Sequence, residues 1–347
     1  MLSLGGDAAV SRECLVSIQK KTDVLLIGNL KHFSFLISKL RSQPFDFREL
    51  SENIEKIIKR KKASFIWRAS RFTISLNKPI LMGIINLTYD SFSGDGILRI
   101  SRTQREVVNN TLRRVEEMLK EGARIIDIGA QSSRPFSKSI PKKEELNRLL
   151  PVLKGVVQEF RDIPISVDTF RAEVARVALE EGAAIINDIK GTRDPAMREV
   201  LKNSDCGIVL MHMQGIPQTM QKNPKYDDVV LDIVDFFKRR LSVLERIGID
   251  ISRIVLDPGI GFGKTVDDNY KILKYIDEFS ILGRPLLLGI SRKSFVGAIL
   301  KKGPQERLYG TLGATAWVIS QGVHILRTHD PAETLDVIKI IERINNV

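Results

Sequence analysis

The stretch IPISVDTFRAEVARVALEEGAAIIND, residues 163–188, carries the pattern that decides the fold. Its two ends, 163–168 and 184–188, are short apolar runs rich in β-branched residues. Each run finishes on polar groups: Asp168 in the first, Asn187 and Asp188 in the second. The middle, 172–182, spaces its apolar residues for one face of a helix and stops at Gly182. A strand that is apolar almost throughout is buried on both faces, and a helix between two such strands makes them parallel neighbours.

Outward from this stretch the same unit recurs. Runs at 80–86, 124–129, 208–212, 254–257, 286–291 and 323–327 join the first two to make eight. Amphipathic helical patterns lie between them, as at 103–122, 144–160 and 227–247. Eight strand–helix units in the 269 residues after Lys78 predict an α/β fold, a closed (β/α)8 TIM barrel over 79–347. An open doubly wound sheet would need a glycine-rich nucleotide turn after its first strand, and the sequence has none there.

Residues 1–78 read as a separate small α/β extension, a cap of unknown role. A strand is expected at 24–27, helices at 33–40 and 47–61, and a hairpin at 65–75. The segment holds 15 Lys plus Arg against 7 acids, so it carries most of the chain's net charge of +12. A basic knot, Lys59 to Lys62, has no aromatic residues interleaved, which reads as a solvated helix end and predicts no nucleic-acid partner. His32 reads as structural. Apolar residues make up 43% and charged residues 28%, a soluble globular balance. No apolar run reaches the ~18 residues that span a bilayer, and no secretory signal is seen. The two cysteines, Cys14 and Cys206, have no paired spacing; a cytoplasmic location and no membrane partner are expected.

The strands end in polar groups: Asn86, Asp127, Asp168, Asn187 with Asp188, His212, Asp257, Ser291 to Lys293, and Arg327 with His329. One polar strand end is an ordinary loop cap. Eight on one rim mark the active-site face of a barrel. The run DPGIGFGKT, residues 257–265, fails as a phosphate loop because Pro258 stands where its first glycine belongs. Its alternate glycines let backbone lie flat against a ligand, and Asp257 can accept two parallel N–H donors of a heterocycle. Arg327 and His329, two apart on an extended segment, point the same way and can clamp an anion. A metal cluster of Asp168, Asp188 and Asp257 ranks below heterocycle recognition, because their neighbours are amide-type residues. No nucleophile–His–acid set is apparent, and His212 has no partner assignable from the sequence.

These residues resemble a known family. The segments 82–93 (MGIINLTYDSFS), 129–135, 166–169 (SVDT), 186–188 (IND), 211–215 (MHMQG), 257–264, 291–294 (SRKS) and 327–330 (RTHD) are similar, in order and spacing, to the signatures of dihydropteroate synthases. The likeness spans about 79–345. It implies a homodimeric cytosolic barrel of folate synthesis, which joins a pterin pyrophosphate to p-aminobenzoate with Mg2+. By position it implies Asp168, Asn187, Met211, Asp257, Phe262 and Lys293 at the pterin. Asn86, Arg134, Arg327 and His329 would hold the pyrophosphate, Asn86 also the metal. Ser133, Pro135, Phe262, Ser291 and Arg292 would border the p-aminobenzoate. Asp168, Lys293, Arg327 and His329 would be the catalytic group. Tyr89, Gly94-Asp95, Gln131 and Ser133 depart from the family's usual residues.

Two rivals differ in chemistry. The pterin-binding domain of a corrinoid-dependent methyltransferase shares the barrel but has no use for an anion clamp. A non-catalytic pterin-binding homologue would bind without turnover. If the clamp is separate from the ring pocket, Arg327→Ala should slow the reaction and spare binding of a bare pterin.

Overall fold

The structure is a computed structural model that describes residues 1–11, 23–44, 47–59, 65–88, 96–101, 103–132, 137 and 139–345. Its barrel strands are β1 (Ile80–Asn86), β2 (Ala123–Gly129), β3 (Ile165–Asp168), β4 (Ile185–Asp188), β5 (Gly207–Met211), β6 (Ile254–Asp257), β7 (Leu287–Gly289) and β8 (Ile325–Thr328). The helices are α1 (Gln104–Lys120), α2 (Lys142–Glu159), α3 (Ala172–Glu180), α4 (Pro195–Lys202), α5 (Val229–Arg246), α6 (Val266–Lys274), α7 (Ser294–Leu300), α8 (Leu308–Ser320) and α9 (Pro331–Asn345).

All eight strands are parallel. They pair in chain order from β1 to β6, and β8 sits between β1 and β7. A parallel bridge, Leu256 to Leu286, brings β6 to the start of β7, and the Leu256 N–H donates to Pro285 O at 2.9 Å. The ring thus closes as a (β/α)8 barrel, the architecture expected from the repeat. Helix starts are fixed locally: Thr103, Asp228 and Thr265 accept first-turn N–H groups of α1, α5 and α6.

Alternation along the strands sorts the apolar residues into two layers. Leu81, Ile126, Val167, Ile186, Leu210, Leu256, Leu288 and Leu326 face outward, in one core with helix residues such as Val115, Leu153 and Phe237. Met82, Ile125, Ile185, Val209, Val255, Leu287 and Ile325 face inward. The hairpin Ile66–Ala69 and Phe72–Ser75 joins that inner layer through Trp67 and Ala69. Trp67 is fully buried and its indole N–H donates to Arg253 O at 2.7 Å. The hairpin is the plug of the barrel's N-terminal end, filling what would otherwise be a void.

By contacts the chain divides into Met1–Ala63 and Ser64–Val347, so the hairpin sorts with the barrel. The first unit pairs Asp7–Val10 antiparallel with Val24–Ile27 and packs helices Leu30–Arg41 and Arg48–Lys59 over Leu36, Ile37 and Ile54. The strand Asp7–Val10 was not legible in its short sequence; its partner gives it form. His32 is structural, as expected: Asn29 caps its N–H at 3.0 Å, and its Nδ1 accepts the Asn29 N–H at 3.4 Å. Cys206 is buried beside Arg253, and burial raises its thiol pKa. Cys14, Arg60, Lys61 and Lys62 lie outside the described residues. No helix among the described residues is long and apolar enough to cross a membrane.

Candidate active site

The same alternation that buries Ile125, Ile185, Val209, Val255, Leu287 and Ile325 inside the barrel also sends Asp127, Asn187, Met211, Asp257, Gly289 and Arg327 inward, two residues further along each strand. Register then seats Asp168 beside Asn187, Met211 beside Asp257, and Gly289 beside Arg327. Below this ring the barrel is apolar. The ring itself is polar, at the C-terminal ends of the strands where barrel enzymes place their chemistry.

Arg327 and two carboxylates form its centre. Arg327 Nε donates to Asp127 Oδ2 at 2.6 Å, and a terminal nitrogen donates to Asp168 Oδ2 at 3.2 Å. Asp127 is fully buried and also accepts from Ser166 Oγ at 2.5 Å and Asn187 Nδ2 at 3.3 Å. Burial opposes the Arg327 charge, but Asp127 and Asp168 outweigh it and raise the guanidinium pKa. Burial pushes Asp168 up to about 7 despite Arg327 beside it, with the charges of Asp127, Glu145 and Asp188 adding to the rise. Desolvation exceeds the single ion pair here, because the guanidinium is shared. Asn187 Oδ1 is buried and has no hydrogen-bond partner, so the ring holds an acceptor suited to a ligand donor.

This geometry corrects one expectation. Arg327 and His329 do not form one isolated clamp. Arg327 reaches into the ring, whereas His329 Nδ1 meets Ser291 Oγ at 3.0 Å. Arg327 is therefore bonded within the polar ring, and His329 is bonded to Ser291.

The loop after β6 forms one wall. Asp257 Oδ1 accepts the Gly259 N–H at 2.7 Å, and burial raises the pKa of this carboxyl. Gly259 and Gly263 have φ of +70° and +63°, and a Cβ on them would fall 1.9 Å from His212 O and 2.4 Å from Gln214 O. Only glycine lets this loop press against the end of β5. Lys264, which could pass for a phosphate ligand, is buried and donates to His212 Nδ1 and Phe262 O, both at 3.0 Å. It is the partner that His212 lacked in the sequence. Burial, with Lys264 and Arg193 nearby, drives His212 down to about 2, so the ring is neutral and accepts. Lys264 itself falls to about 7 through burial.

Lys293 Nζ donates to Ile260 O at 2.5 Å and lies 4.8 Å from the centre of the Phe262 ring. Burial lowers it to about 8, against the pull of Asp257. Phe262 packs with Phe170 on a cluster of Ile189, Met211, Met213 and Met220. Such a cluster is an adaptable apolar floor for a flat ring.

Other expected residues sit apart. Asp188 is a loop anchor: its oxygens accept the Lys190 and Thr192 N–H groups, both at 2.8 Å, while burial raises it to about 6. Arg292 grips Asp330 with two nitrogens and reaches Gln305 at 2.9 Å. Asn86, at the tip of β1, lines a cavity of about 340 Å³ with Asn110, Arg113 and Arg114. No group of three or more His, Cys, Asp or Glu among the described residues could hold a metal. Tyr89, Gly94, Asp95, Ser133, Arg134 and Pro135 lie outside the described residues. Asp127 is the residue of the polar ring that sequence reading undervalued. An ionisable group amid the apolar run 123–129, in step with Ile125, was the available signal.

Comparison with known proteins identifies the family. Residues 82–329 match the model of the pterin binding enzyme family. The Escherichia coli dihydropteroate synthase is 40% identical over 270 residues, 78% of this chain and 93% of that one. A Helicobacter pylori protein named bifunctional dihydropteroate synthase/dihydropteroate reductase is 34% identical over 345 residues, 99% of this chain and 85% of its own. The Burkholderia cenocepacia dihydropteroate synthase, solved with 7,8-dihydropteroate, aligns at TM-score 0.72 and 36% identity over 81% of this chain and 97% of that one. A barrel with a polar ring at its strand ends, the family model matched over most of the chain and relatives of this identity agree: the chain belongs to the dihydropteroate synthase family of pterin-binding enzymes.

Proposed function

We propose that this chain condenses 6-hydroxymethyl-7,8-dihydropterin pyrophosphate with p-aminobenzoate, giving 7,8-dihydropteroate and pyrophosphate in folate synthesis. The observation that carries the reading is the buried ring of Asp168, Asn187 and Asp257, with Asn187 Oδ1 still able to accept a hydrogen bond. The free oxygens of Asp257 and Asn187 suit the N–H edge of a pterin, and Met211 and Phe262 suit its faces.

In the reaction the methylene–oxygen bond to pyrophosphate breaks, the amine nitrogen bonds the methylene, and the amine loses a proton. Positive charge develops on the pterin methylene. The ionised form of Asp168 would stabilise it, although burial raises this carboxyl to about 7. Arg327, His329 and Arg134 would take the charge that builds on the leaving group. Lys293 holds the loop carrying Phe262 and faces Asp257. Ser133, Pro135, Phe262, Ser291 and Arg292 would border the aromatic amine. No nucleophilic side chain is needed.

Asn86 would hold Mg2+ on the substrate's pyrophosphate. A lone amide oxygen at a strand tip fits an ion that keeps its waters and is bound largely by substrate phosphates. Such an ion would neutralise the departing oxygens.

A homodimer is part of the proposal. Ile299, Tyr309 and Trp317 are 61%, 79% and 48% exposed on α7 and α8, apolar side chains that pairing through these helices would cover. A cytoplasmic location follows from the expected substrates. The extension of 1–63 supports a second reading, dihydropteroate reduction, because the bifunctional relative shares the chain's full length.

The test is to incubate the purified protein with pterin pyrophosphate, p-aminobenzoate and Mg2+. Formation of dihydropteroate supports the reading. Pterin binding without product points to a non-catalytic homologue, and methyl transfer from a methylated pterin to the methyltransferase domain.

A further inference from the structure

We infer that Lys264 is a positioning residue for the pterin site: its buried ammonium fixes the glycine loop after β6 against the end of β5. This rests on the proposed pterin pocket, in which Met211 and Phe262 meet the faces of the ring and Asp257 meets its N–H edge.

The loop does not hold its own shape. Gly259, Gly261 and Gly263 have φ of +70°, +81° and +63°, and residues 258–264 join no helix or strand. Their backbone carbonyls must therefore find partners elsewhere. Four in a row find them on side chains. Ile260 O accepts from Lys293 at 2.5 Å, Gly261 O from Gln221 at 3.4 Å, Phe262 O from Lys264 at 3.0 Å and Gly263 O from Tyr226 at 2.7 Å. Gln221 and Tyr226 belong to the segment between β5 and α5, and Gln221 Oε1 also takes the Lys264 N–H at 3.1 Å.

Lys264 is the buried member of this set, 2% exposed, whereas Lys293, Gln221 and Tyr226 are half-buried. Its ammonium meets Phe262 O and His212 Nδ1, both at 3.0 Å, with His212 O further off at 3.5 Å. His212 follows Met211 directly, and its own N–H donates to Asp257 O at 2.9 Å. Met211 and Asp257 are partners in the register of β5 and β6. One nitrogen thus joins the backbone of Phe262 to the residue next to Met211. The side chains of Phe262 and Met211 lie in one apolar cluster.

The acceptors are two carbonyl oxygens and an imidazole, none of them a carboxylate. A buried charge held in this way costs stability, and an apolar chain of similar length would pack at smaller cost. What the ammonium adds is a donor for acceptors on two loops at once. His212 suits the other end of the bond. Its ring stands edge-on to Phe236, 4.9 Å between centres, which sets the direction of Nδ1. A pocket whose sides are held at a fixed spacing binds a flat ring without first ordering a loop.

Calorimetry with a bare pterin, read beside steady-state kinetics, tests the inference; thermal melting checks that each variant is folded. Lys264→Met keeps the length of the side chain and removes the donor. The Kd for the pterin and the KM for the pterin pyrophosphate should each rise about tenfold, with kcat within about threefold, because Asp168 and Arg327 are untouched. His212→Phe keeps a ring beside Phe236 and removes Nδ1, so its loss should match. His212→Asn keeps an acceptor near the same place and should stay within about threefold of the wild type. The pair separates loss of the bond from loss of the ring. If Lys264→Met does not fold, the two His212 variants decide. Unchanged pterin affinity in folded Lys264→Met, equal losses in His212→Phe and His212→Asn, or a kcat that falls as far as KM rises overturns the inference. A wild-type protein that binds no pterin sinks the pocket itself, so the two failures are distinct.

Discussion

Arg327 Nε lies 2.6 Å from Asp127 Oδ2, so a fully buried carboxylate on the second strand aims a guanidinium on the eighth. A terminal nitrogen of that guanidinium donates to Asp168 Oδ2 at 3.2 Å, so one cation ties two carboxylates of the ring.

Arg327→Ala should reduce kcat/KM by about one to two orders of magnitude, since each charge-assisted bond contributes roughly 1.5–3 kcal/mol. Bare pterin binding should weaken too, by about tenfold, because Asp168 loses the cation that favours its charged form. Calorimetry with a pterin lacking pyrophosphate checks this. Full retention of that affinity would restore the separate clamp expected from the sequence.

Asp257→Asn keeps an oxygen for the Gly259 N–H, so the loop should fold as before. The amide then turns a donor toward a ligand N–H that needs an acceptor. The clash of two buried donors costs a few kcal/mol, and tight pterin binding should be lost in calorimetry while the thermal midpoint holds. Unchanged affinity would remove Asp257 from the pterin site.

The pH profile of kcat/KM should be a narrow bell. Asp168 acts when ionised, and burial sets it at about 7, so the rate rises with pH through that value. Lys293 is charged only below about 8, so the rate falls beyond it. Lys293→Arg should remove the falling limb. The sign for stability is opposite to an ordinary ion pair. A carboxyl raised from 3.8 favours the folded state below the unfolded value, and that contribution is lost as pH climbs toward about 7. The ligand-free protein should therefore melt at a lower temperature at pH 7 than at pH 5, and Asp168→Asn should flatten that trend.

A chain beginning at Ser64 keeps the hairpin plug and every described site residue. It should retain synthase turnover within about twofold and lose any reduction of dihydropteroate by an added hydride donor. Loss of synthase turnover in a folded truncated protein would assign the extension to the site itself.

Sedimentation of the wild type should give twice the mass of the 39.1 kDa chain. The double change Ile299→Asp and Tyr309→Asp places charge on two exposed apolar positions of the proposed interface and should give the monomer mass. A monomeric wild type would remove the homodimer from the proposal.

The sequence by itself determined the eight strand–helix units, because period and β-branched runs are properties of near neighbours. It also determined the polar ring: Asp168, Asn187, Asp257 and Arg327 lie two residues beyond apolar inward positions or at strand tips, and parity alone sends them inside. What only the tertiary structure decided are pairings across the barrel. Arg327 meets Asp168 and Asp127 from 159 and 200 residues away. Lys264 meets His212 from 52 residues away, which turned a seeming phosphate ligand into an internal prop. The hairpin at Trp67, read as part of the extension, closes the bottom of the barrel and bonds Arg253. None of these follows from local pattern. Each arises when ring closure desolvates a polar group, which then needs partners that only distant parts of the chain supply.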